Sequence, residues 1–93
     1  METSTPRPTP GLIVLYKLSA DDVAQITQRI KDAEPRPFVN PLEAGAIVPA
    51  VVVRVWPVGS ANLHVLLDGE ITLWATSRSE GTEPGTWARP ERG

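Results

Sequence analysis

Apolar and polar positions along the chain fall into distinct blocks. Behind Gly11, the run Leu12-Ile13-Val14-Leu15-Tyr16 is rich in β-branched and aromatic residues, and its length and composition predict a buried strand. Ser19 follows, with Asp22 three residues later, which is the acidic version of a capping box. Leu18 and Val23 occupy the two positions of a hydrophobic staple. The spacing of Val23, Ile26 and Ile30 then predicts a helix from Ala20 to about Ala33 with one narrow apolar stripe, flanked by Thr27. Asp21, Gln25, Gln28, Arg29 and Asp32 fall on its water-facing side, and Pro35 and Pro37 end it.

Glu34 to Gly45 reads as a proline-containing connection anchored by Phe38, Val39 and Leu42. After Pro49, Ala50 to Trp56 is the clearest strand signal. Val51, Val53 and Val55 alternate with Val52, Arg54 and Trp56, and two largely apolar faces predict a central strand. Asn62 to Leu67 and Glu70 to Thr76 flank Asp68-Gly69, the strongest short-range hairpin signal. A two-residue turn there pairs Leu66 with Ile71, Val65 with Thr72, His64 with Leu73 and Leu63 with Trp74. Ser77 to Gly93 reads as a loop-like tail whose one large apolar residue is Trp87.

The order strand, helix, strand, hairpin predicts an α+β fold: a small antiparallel or mixed sheet of at least four strands with one N-terminal helix. A curled, barrel-like sheet is the alternative. Residues 1–10, with Pro6, Pro8 and Pro10, read as a flexible proline-rich arm, residues 11–90 as one domain and residues 91–93 as a short tail.

Composition narrows what such a domain can do. A chain of 93 residues holds a single marginal core, and small chains compensate with disulfides, metals or self-association. There are no cysteines and one histidine, so self-association remains, and a homo-oligomer is expected. No metal or cofactor is expected. Nine basic and eleven acidic residues lie intermixed, at a net charge of −2, without the cationic cluster that DNA or RNA binding requires. The longest apolar stretch, Val51 to Val58, is broken by Arg54 and Pro57, so no membrane span is expected. A cytoplasmic location follows as the expectation.

The chemistry-bearing residues point to binding and not to turnover. His64 falls mid-strand among apolar residues, the glycines are too scattered for a phosphate loop, and capping accounts for Asp21 and Asp22. No catalytic residue is assigned. The informative set is Arg54, Trp56, Trp74, Arg78 and Trp87, with Arg89 just past Trp87. Indoles beside guanidinium groups can stack a planar ring and hold an anion. Trp56 and Trp74 would take the ring and Arg54 and Arg78 its charge. The alternative is that the tryptophans finish a small core and the arginines decorate its rim.

Pro10-Gly11 with Ile13-Val14 and Tyr16, Asn40-Pro41, VVVRVW (Val51 to Trp56), Leu67-Asp68-Gly69, LWATS (Leu73 to Ser77), Gly85-Thr86-Trp87 and Pro90-Glu91 resemble a family of short uncharacterised proteins of actinobacteria and their bacteriophages. Family members often read HWPE near the end, where this chain has Ala88-Arg89-Pro90-Glu91. The resemblance implies a phage or prophage accessory protein in the host cytoplasm that acts by binding. One form of this is sequestering a small nucleotide-like anion of host defence signalling. The other is a structural or interaction module that decorates a capsid or binds a host factor.

Overall fold

In the computed structural model, which describes residues 7–90, the first apolar run forms strand β1 (Ile13–Lys17) and the capped segment forms helix α1 (Ala20–Asp32). The capping box is complete: Asp22 N donates to Ser19 Oγ at 3.1 Å, and Ser19 N donates to Asp22 Oδ2 at 2.9 Å. On α1, Ile26 is buried with Val23 and Ile30 half-buried beside it, as the spacing predicts. Strands β2 (Ile47–Val55), β3 (Ala61–Leu66), β4 (Thr72–Arg78) and β5 (Trp87–Ala88) follow. They form one antiparallel sheet in the order β4-β3-β2-β1-β5, so the fold is α+β. The sheet is not closed into a barrel. β4 and β5 are its edges, and an isolated parallel bridge between Glu80 and Trp87 joins the two sides at one end.

Three features depart from the sequence pattern. First, β2 begins at Ile47 and runs through Pro49. Pairing with β3 starts only at Ala50, so β1 is the sole neighbour at Pro49. Val52 N donates to Leu12 O and Leu18 N donates to Ala46 O, so the even positions of β2 bond toward β1. By alternation Pro49 turns its missing N–H to the open side, where no ladder bond is lost.

Second, the hairpin is shifted by one residue. Leu66 pairs with Thr72, Val65 with Leu73, His64 with Trp74 and Leu63 with Ala75. The reason lies outside the hairpin. Gly69 bridges to Val39, Glu70 N donates to Phe38 O at 2.9 Å, and Asn40 N donates to Asp68 O at 2.9 Å. The 38–40 connection thus holds the hairpin tip open, and Asp68-Gly69 does not form a two-residue turn. A one-residue slip exchanges the faces of a strand. Leu73 turns inward with Val65 and Leu63, while Trp74 turns outward with His64. Third, the loop-like tail contributes β5, where Tyr16 pairs with Trp87.

The core lies between α1 and the inner face of the sheet, built from Val14, Tyr16, Val52, Leu63, Val65 and Trp87 with their neighbours. Of the arm, Arg7 Nη2 donates to the Trp56 and Pro57 carbonyls, each at 3.0 Å, and Pro8 is buried. Residues 1–6 of the arm and the tail from Glu91 lie outside the described residues.

The hairpin tip gives a direct test. A Cβ on Gly69 would lie 2.5 Å from both Phe38 O and Val39 Cα, so the glycine is needed for close approach and not for turn geometry. Gly69→Ala is expected to destabilise the fold by about 1–3 kcal/mol in urea denaturation; a neutral result contradicts the tip–connection contact.

Candidate functional site

The five candidate residues occupy three separate places. Arg54 and Trp56 come together at the end of β2, with the Arg54 Cζ 4.5 Å from the centre of the Trp56 ring. A β-bulge between Val52 and Arg54 breaks the alternation there, and Val53 and Arg54 are both exposed. Trp56 Nε1 donates to the buried Asn62 Oδ1 at 3.0 Å. Ser77 N donates to the same oxygen at 2.8 Å, with Ser77 in the left-handed region at φ 55°. Close by, Val58 to Ser60 and Ser77, Ser79 and Glu80 line an open cleft of about 450 Å³. A stacked guanidinium on an indole, beside such a cleft, is a platform that a planar anion can approach.

Arg78 goes elsewhere. Its Nη2 lies 3.4 Å from Asp22 Oδ1, and its Cζ lies 5.9 Å from the centre of the Tyr16 ring. Asp22 is fully buried, and its Oδ2 also accepts the Tyr16 hydroxyl at 2.6 Å. A buried carboxylate must find partners, and this one has the helix cap, a phenol and a guanidinium. Burial, reinforced by the hydrogen bond to Asp22, holds the Tyr16 phenol above the ordinary tyrosine range. Arg78 thereby acts as a brace between β4 and α1, and its charge is already answered.

Trp87 is 1% exposed and donates from Nε1 to Arg78 O at 2.9 Å, so its ring fills the core between β1 and the end of β4. Arg89 stacks over it at 5.8 Å. Trp74 stands alone on the other face of the sheet, 60% exposed. The structure therefore joins Arg54 to Trp56 but brings neither Trp74, Arg78 nor Trp87 to them. The physical causes are the hairpin shift, which turns Trp74 outward, and the buried Asp22, which draws Arg78 inward.

What the sequence reading missed is the surface around Trp74. One cross-strand row runs Ile13, Val51, His64, Trp74 over four strands. Beside it, Leu15 pairs with Pro49 and Ala88, and Leu66 pairs with Thr72. Ile13, Ile47, Val53 and Trp74 keep 49–60% of their surface open. At the β1–β5 side the face dips into a shallow hollow of about 160 Å³ floored by Leu15, Ile47 and Ala88. Gly81, Thr82 and Thr86 wall it, and Lys17 Nζ at its edge donates to Thr82 O at 2.7 Å. A signal for this surface was present. Both faces of β2 are apolar, yet one helix with one narrow stripe can cover only one of them.

The Tyr16–Asp22 bond yields a pH prediction. Below about pH 10 the phenol is neutral folded or unfolded; above it, the unfolded chain sheds a proton that the folded chain keeps, so stability falls as pH rises. Tyr16→Phe is expected to cost about 1–2 kcal/mol at neutral pH and to lessen that alkaline loss in urea titrations. An unchanged alkaline slope contradicts the assignment.

Comparison with known proteins returns no matching family model, no matching curated protein and no matching solved structure, so the functional reading rests on this geometry.

Proposed function

We propose that this chain is a non-enzymatic protein-interaction module whose working surface is the outer face of its sheet. The observation that carries this reading is the cross-strand row Ile13, Val51, His64 and Trp74, apolar at every position but His64, with its flanking Leu15, Ile47 and Leu66, on a face that no helix among the described residues covers. Monomeric soluble proteins rarely expose a contiguous apolar patch of more than a few hundred Å² unless something binds there. The middle of the face is uncharged, with Lys17 and Arg54 at its two ends, which is the apolar-centre, polar-rim layout of an interface. His64 supports the non-enzymatic part: its cross-strand neighbours are Val51 and Trp74, neither of which can orient or activate an imidazole. In the phage setting that the sequence resemblance implies, capsid decoration and host-factor binding would both need a protein-facing surface of this kind.

A second reading keeps the small planar anion at the Arg54–Trp56 platform, favoured by the stack at 4.5 Å and the adjacent cleft. Calorimetry against cyclic and ADP-ribose-derived nucleotides tests it, and heats at the noise level for all of them end it.

Site-specific photocrosslinking in expressing cells tests the first reading. A benzophenone side chain replaces Trp74, and in a second protein it replaces Gln25, which is exposed on α1 across the sheet from the face. A protein adduct from position 74 and not from position 25 is the expected outcome. No adduct from 74, or equal adducts from both, contradicts it.

A further inference from the structure

We infer that the occupant of the outer face is a second copy of this chain, docked face to face about a twofold axis that runs parallel to the strands between β2 and β3. This rests on the interaction reading above and names its partner. In the order β4-β3-β2-β1-β5, a twofold axis along that line exchanges β4 with β1 and β3 with β2. The two flanks it exchanges are complementary in shape. On β4 stands Trp74, the largest side chain of the face, 60% exposed. Beside β1 lies the apolar hollow floored by Leu15, Ile47 and Ala88.

Trp74 lies on the row of Ile13, and the hollow begins at Leu15, two residues and about 7 Å further along the strand. Side chains on a strand lean along the strand direction, and an indole turned that way is long enough to span the offset. The same operation repeats the contact, so each copy offers a knob and receives one.

Charge and breadth agree with this occupant. The centre of the face has no charged side chain that would select an acidic or basic partner, and Lys17 and Arg54 sit at opposite ends of the strands. The half-open side chains, with Pro49, Val51, His64 and Leu66 between them, spread over four strands, about 14 Å across at the ordinary strand spacing, a breadth that a second sheet of the same width matches. A chain with no disulfide and a small core also gains most from a second sheet packed on the first.

Sedimentation equilibrium of the purified chain over a concentration series tests the inference. The expected result is reversible association to twice the 10.1 kDa chain mass. Trp74→Lys on the knob and Leu15→Lys in the hollow should each raise the dissociation constant by roughly thirtyfold or more. Gln25→Lys, on the exposed side of α1 across the sheet from the outer face, should leave it unchanged. Circular dichroism of each variant checks that the fold is kept, and Trp74→Ala serves where Trp74→Lys does not fold. A chain that stays monomeric throughout, or a dimer weakened equally by Gln25→Lys, overturns the inference. Monomeric chain together with a Trp74-specific adduct to a different protein overturns the second-copy assignment and leaves the interaction reading standing.

Discussion

The buried carboxylate of Asp22 decides which face of the sheet is covered. It caps α1 through Ser19, accepts the hydroxyl of Tyr16 on β1, and meets the guanidinium of Arg78 at the end of β4. A carboxylate at 0% exposure is tolerated only while those partners stay in place. The helix start is thereby pinned to two strands that are not neighbours in the sheet. Arg29, about two turns further along the helix, adds a second tie by donating to Thr72 O at 2.7 Å. With α1 fixed on the inner face, the helix has no freedom to cover the outer one.

The outer face is therefore a consequence of economy. The described residues form one helix, and its stripe of Val23, Ile26 and Ile30 is spent on the inner core. Yet β1 and β2 carry apolar side chains at successive positions, the pattern of strands covered on both sides. Within one chain half of that pattern is unsatisfied. The apolar surface left over is the surface on which the proposed binding function rests.

Much of the fold could be read directly. The Ser19–Asp22 box, the helix stripe, the strand at Ala50 to Val55 and the α+β class follow from local patterns, because capping and periodicity are local physics. The candidate site was harder for three identifiable reasons. The shift of the hairpin arises from contacts with residues 38–40, some thirty positions away, which no turn rule contains. The bulge at Val53 redirects Arg54, and bulges leave little trace in composition. Trp87 sits in a proline- and glycine-rich tail that looks solvent-exposed, whereas its pairing with Tyr16 buries it. The two-sided apolarity of β2 was legible, but it marks a central strand and an uncovered face equally well. Only the placement of α1 separates those meanings.

The central claim is that a partner surface begins where the helix coverage ends. Two-dimensional amide NMR spectra of the pure chain, recorded as its concentration is raised, address that claim residue by residue. The account predicts shifts confined to outer-face positions such as Ile13, Leu15, Val51, His64 and Trp74, with α1 unmoved. Spectra that do not change with concentration, or changes centred on α1, would contradict it.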